Sequence, residues 1–68
     1  ENDTNIIKLY DAIKELSEID RGIILLYLEK KTYKEIAEIM GTNSNSIGVK
    51  ITRIKKRLKK QLTKKITN

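Results

Sequence analysis

The sequence predicts an all-α fold: a small four-helix domain that closes with a helix-turn-helix and a long basic final helix. Three observations lead there. Proline is absent and glycine occurs three times in 68 residues, so little in the chain interrupts a helix. Apolar residues recur at steps of three and four, the repeat that lines one side of a helix. Ser, Thr, Asn and Gly fall between the periodic runs, where helices start and stop.

The first helix is expected over 5–16, where Ile6, Leu9, Tyr10, Ile13 and Leu16 share a side. Ser17-Glu18-Ile19-Asp20 then reads as a capping box, with the Ser17 hydroxyl accepting from the Asp20 amide and Asp20 reaching back. A second helix follows over 18–29. Its residues Ile19, Ile23, Leu26 and Tyr27 form one stripe, and Ile24, Leu25 and Leu28 carry the apolar surface round the side. One neighbouring helix cannot cover that width, so another helix or a partner must. Gly22 weakens this helix by about 1 kcal/mol relative to alanine.

Thr32-Tyr33-Lys34-Glu35 is a second capping box and opens a short helix over 33–40, with Ile36, Ala37, Ile39 and Met40 apolar. Gly41 stands where a left-handed residue ends a helix. Asn43 suits the N-cap of the last helix, over 44–62, whose stripe is Ile47, Ile51, Ile54, Leu58 and Leu62. Residues 1–4 and 63–68 read as frayed ends. The whole chain, 1–68, is one domain. Glu1 is not a start methionine, so the chain reads as a piece of a longer one.

Composition removes several function classes. Cysteine and histidine are both absent, which excludes a disulfide framework, a Cys/His zinc site and nucleophilic mechanisms built on either residue. Clustered carboxylates and glycine-rich phosphate loops are missing too, so no enzyme, no metal, no cofactor and no small-molecule substrate are expected. The longest apolar run, Ile23 to Leu28, is too short to span a bilayer, and no signal peptide is expected. A chain that needs no disulfides suits a reducing compartment, and a cytoplasmic location is expected.

The formal charge of +6 is unevenly placed. Residues 1–40 hold all nine acids beside six bases, a net of −3. Residues 41–68 hold nine bases and no acid, a net of +9. Taken alone, such a run reads more readily as a solvated tail. Its coincidence with a helix-turn-helix points to a polyanion, with nucleic acid the first candidate.

The turn pivots on Gly41, and Ala37 is small enough to let the flanking helices approach. With Ile47 inward, a hundred degrees per residue turns Asn45, Val49, Thr52, Arg53, Lys56 and Lys60 outward. That set suits a DNA major groove: Asn45 can pair with adenine, Val49 can touch a thymine methyl, and Arg53 can bind guanine or a phosphate, although Asn45 and Ser46 read equally as capping or solvated polar groups and Val49 as an ordinary exposed apolar residue. Ser44 and Ser46, beside free amides at the helix start, suit phosphate oxygens. Gly48 permits close backbone approach, and Lys50, Lys55, Lys56 and Arg57 are expected to reach the flanking backbone.

Four segments then carry a resemblance: Leu25-Leu26-Tyr27-Leu28-Glu29, the run from Tyr33 to Gly41, the run from Asn45 to Ile51, and Arg53-Ile54-Lys55-Lys56-Arg57-Leu58. Over roughly residues 6–62 the chain resembles the C-terminal domain of bacterial sigma factors, region four, and most of all the extracytoplasmic-function group. The resemblance implies that the second helix of the helix-turn-helix reads the promoter −35 element. It implies base-reading positions at Gly48, Val49, Thr52 and Arg53, with Ser44, Asn45, Ser46, Lys50 and Lys56 beside them. It also implies docking of core RNA polymerase, through the flap of its β subunit, in an apolar groove that draws on Ile24, Leu25 and Leu28, and masking by an anti-sigma factor.

Two departures stand out. Gly48 and Val49 occupy positions where relatives often carry a basic or polar residue, so hydrogen-bond readout there is expected to be sparse, with shape, thymine methyls and backbone contacts taking more of the work. Thr42 replaces the usual apolar residue of the turn. Two other readings compete. One is the output domain of a response regulator, whose helix-turn-helix is similar. The other is a basic helical module binding acidic partners or a membrane surface, against which the lack of Trp and Phe anchors counts. The Leu16-Ser17 junction, Arg21 and the long basic end of the last helix favour the sigma reading.

Overall fold

A computed structural model describes the backbone of residues 2–67 and the side chains of residues 6–62. Four helices follow in order: α1 (Asn2–Lys14), α2 (Glu18–Leu28), α3 (Tyr33–Met40) and α4 (Ser44–Thr67), with no strand among the described residues. At 1.5 Å per residue the 24 residues of α4 run about 36 Å, close to the 38 Å long dimension of the molecule. The other three helices all pack on this spine, while α1 and α3 make no contact among the described residues.

The start and stop signals work as their chemistry requires. The Asp20 amide donates to Ser17 Oγ at 3.2 Å, although the reciprocal bond from Asp20 is absent among the described residues. The box at Thr32 is complete, with the Glu35 amide on Thr32 Oγ1 at 3.1 Å and the Thr32 amide on Glu35 Oε1 at 2.8 Å. That backbone hydrogen bond holds the Glu35 carboxyl below the usual glutamate range. Gly41 adopts the left-handed conformation at φ 73°, and the Thr42 amide closes the turn on the Ala37 carbonyl at 2.9 Å. Thr42 itself is exposed, so the turn is held by backbone bonds with no apolar plug from this position.

Four helix boundaries differ from the periodicity: both ends of α1, the end of α2, which closes at Leu28, and the end of α4. α1 begins at Asn2 and ends at Lys14 because the amides of Glu15 and Leu16 turn to the carbonyls of Ala12 and Ile13, three residues back, tightening the last turn out of α geometry. α4 continues past 62 to Thr67, since no glycine or proline stops it. The backbone of 2–4 and 63–67, expected to fray, is therefore helical, and Glu1 and Asn68 lie outside the described residues.

One core joins all four helices: Ala12, Ile13 and Leu16 of α1 and its exit, Ile23 and Ile24 of α2, Ile36 and Ala37 of α3, and Ile47, Ile51, Ile54 and Leu58 of α4. The α4 stripe is the one expected through Leu58, while Leu62 is only half-buried. On α1 the covered strip is narrower and slightly turned, with Ala12 inside and Ile6 and Tyr10 exposed. α1 has only α2 and α4 to lean on, and those two cover a strip through Leu9, Ala12, Ile13 and Leu16. Ile19 on α2 and Ile39 on α3 likewise remain exposed.

α2 ends in a way no residue type announced. Lys30 takes φ 68°, its amide bonds the Tyr27 carbonyl at 2.9 Å, and the Lys31 amide bonds the Leu26 carbonyl at 3.2 Å. This is a Schellman ending with lysine where glycine is favoured. A left-handed L-residue costs about 1–2 kcal/mol, part of which glycine returns through its freer unfolded chain. Lys30→Gly is therefore expected to raise unfolding stability by roughly 0.5–1 kcal/mol in urea denaturation. A lower stability would contradict the strain at this position.

Candidate nucleic-acid interface

The outward side of α4 is built by what fixes the helix behind it. Asn43 caps the start, its Oδ1 accepting from the Ser46 amide at 2.9 Å and its carbonyl from the Ile47 amide at 3.1 Å. The amides of Ser44 and Asn45 are the ones left to point out of the helix end. Ile47 and Ile51, both fully buried, hold α4 against the rest of the core. Near the turn, the Tyr33 ring of α3 lies 3.4 Å from where a Cβ on Gly48 would sit. A Cβ there would make ordinary van der Waals contact with the ring, so Gly48 stands beside Tyr33 without being required by it.

Of the expected site residues, Ser44, Asn45, Val49, Lys50, Thr52, Arg53, Lys56 and Arg57 are exposed, and Ser46 and Gly48 are half-buried. Seven of these eight exposed residues lie round three hollows, and Lys56 lines none of them. One runs from Tyr33 past Ser44, Asn45, Gly48 and Val49 to Thr52 and Arg53. A second joins Asn45, Ser46, Val49, Lys50 and Arg53. A third joins Asp20 of α2 with Lys50, Arg53, Ile54 and Arg57. Arg53 is the residue common to all three. Its guanidinium can therefore swing toward base edges or toward flanking phosphates without leaving the surface.

Three placements differ from the sequence expectation. Lys55 does not join the outward set. Its Nζ donates to Tyr27 Oη at 2.8 Å and lies 4.6 Å from the centre of that ring, so it is held on the far side of α4. The tyrosine hydrogen bond raises the Lys55 pKa and favours its charged form. Tyr33 is an addition, lining the first hollow and partly exposed. The Thr52 hydroxyl donates to the Gly48 carbonyl at 2.9 Å, four residues back along its own helix.

On the opposite side, α1, α2 and α4 enclose an apolar groove of about 340 Å³. Leu9, Ile24, Tyr27, Leu28, Leu58 and Leu62 line it, with Lys55 and Lys59 along one rim. Ile24 is only 2% exposed and forms part of the floor, Leu28 stands at the edge, and Leu25 does not line the groove. Residues four apart share a helix side, and Leu25, a hundred degrees round from Ile24, leaves that side and packs half-buried on the core. Beyond this groove the Gln61 amide donates to Glu15 Oε1 at 2.7 Å, tying α4 to the exit of α1. Among the described residues no helix is long and apolar enough to cross a membrane.

Residues 6–58 match the family model described as Sigma-70, region 4. No curated protein and no solved structure matches the chain.

Proposed function

The chain belongs to the sigma-70 region 4 family, whose members are DNA-binding domains of transcription initiation rather than catalysts, and from that membership we propose that α4 reads the promoter −35 element in the major groove. Promoter DNA and RNA polymerase are the partners this family implies. The observation that carries the reading is the split of α4: Ile47, Ile51 and Ile54 face the core while Val49, Lys50, Thr52, Arg53, Lys56 and Arg57 face solvent. A helix anchored by one side and basic on the other is what lying in a groove demands. Ser44 and Asn45, with the open amides of the helix start, would position the backbone.

The groove between α1, α2 and α4 supports docking on the β flap of RNA polymerase, with Ile24 and Leu28 as its apolar contacts. Leu25 lies outside that groove, so its part in docking would have to come from another surface. The four motif segments support membership of the extracytoplasmic-function group, with an anti-sigma factor covering these same surfaces and a cytoplasmic site of action. The family match favours this reading over a response-regulator output domain.

Salt tests the electrostatic part. Contact with four to six phosphates predicts a log–log slope of duplex affinity against salt of roughly −4 to −5. A flat response would contradict it. Binding by the chain alone is expected to be weak, because polymerase adds a second attachment and raises the effective concentration.

A further inference from the structure

The middle of the outward α4 surface has no hydrogen-bond donor aimed at solvent. Thr52 is the polar residue there, and its single hydroxyl hydrogen is spent on the Gly48 carbonyl at 2.9 Å. With Oγ1 drawn back against the helix, the methyl group is what Thr52 presents. Val49, one turn earlier on the same side, is 52% exposed and presents two more methyl groups. Gly48 offers no side chain, and the Tyr33 ring fills the space beside it. The polar and charged groups, Asn45 and Arg53, flank this apolar centre.

Base edges in the major groove differ in chemistry. Guanine and adenine offer acceptors, cytosine and adenine offer an amino donor, and thymine offers a methyl group beside its O4. An apolar protein surface pressed on polar edges strips them of water and returns nothing. Pressed on a thymine methyl it buries apolar area on both partners. Val49 and Thr52 lie about 4.5 Å apart along the helix axis, close to the ~3.4 Å rise of one base step. We infer that Val49 and Thr52 are specificity-determining residues that select thymine at two neighbouring base pairs through methyl–methyl contact. The inference rests on the proposed placement of α4 in the major groove.

The test uses a duplex enriched by the 68-residue chain from a random pool, with each thymine replaced in turn by deoxyuridine, which removes only the methyl group. Two adjacent replacements are expected to weaken binding about 3–5-fold each, the worth of one buried methyl, while the others have little effect. Thr52→Ser keeps the hydroxyl but lacks the methyl, so it should bind the thymine and deoxyuridine duplexes equally at one of those positions. Thr52→Val keeps the methyl and replaces the hydroxyl by a second one, and should retain the discrimination. Val49→Ala should flatten the response at the other position. A chain that prefers the enriched duplex over a scrambled one yet ignores every deoxyuridine overturns the inference and leaves the groove reading standing. Full discrimination retained by Thr52→Ser overturns it as well. A chain with no preference between enriched and scrambled duplexes overturns both.

Discussion

Replacing Ile51 by alanine is expected to lower the stability of the chain by about 2–5 kcal/mol, enough to leave much of it unfolded at room temperature. Ile51 is fully buried where α4 meets the rest of the core. A chain of 68 residues buries a smaller share of its surface than larger domains and has little stability to lose. Alanine is the better helix former, so the loss comes from packing and the cavity left behind. Urea unfolding followed by circular dichroism would measure it. Ile39→Ala serves as the comparison, because Ile39 is 59% exposed and its loss should change stability by roughly 0.5 kcal/mol or less. Equal stabilities for the two variants would mean that the isoleucine stripe does not anchor α4.

The features legible in the sequence are those set by near neighbours along the chain. The Thr32 box, the Asn43 cap and the left-handed Gly41 depend on residues within a turn of one another, and all three form as the residue types suggest. The α4 stripe is legible because four of its members recur in register over three turns and all four are buried. On α1 the periodicity marks a broad apolar side, and only the placement of α2 and α4 decides which strip of it is covered. Ala12 is inside and Tyr10 outside for that reason. The left-handed Lys30 carries no composition signal, because lysine marks no turn type.

The outward set of α4 follows from rotation about the helix axis once Ile47 is placed inward, and Asn45, Val49, Thr52, Arg53 and Lys56 are exposed as that rotation requires. Rotation does not settle the rest. Lys55 has a long flexible stem, and the hydroxyl and ring of Tyr27 on another helix decide which way its ammonium goes. Gly48 has no side chain to orient, so its closeness to Tyr33 becomes visible only when α3 and α4 are packed together. The Thr52 back-bond is a choice between solvent and its own helix that sequence spacing leaves open.

Arg53→Ala is expected to cost about 1–3 kcal/mol of binding on an enriched duplex if the guanidinium pairs with guanine in two bonds, roughly 5–150-fold in affinity. Arg53 is exposed and borders all three hollows of the outward surface, so its loss should leave the fold intact. A phosphate contact would weaken binding by the same factor on every duplex, whereas a base contact acts on the correct sequence alone. The decisive quantity is the ratio of affinities for the enriched and a scrambled duplex, measured for the unaltered chain and for Arg53→Ala at one salt concentration. Base reading by Arg53 of α4 in the major groove predicts that the ratio falls by roughly 5–150-fold in the variant. An unchanged ratio, whether both affinities drop together or neither moves, would contradict it.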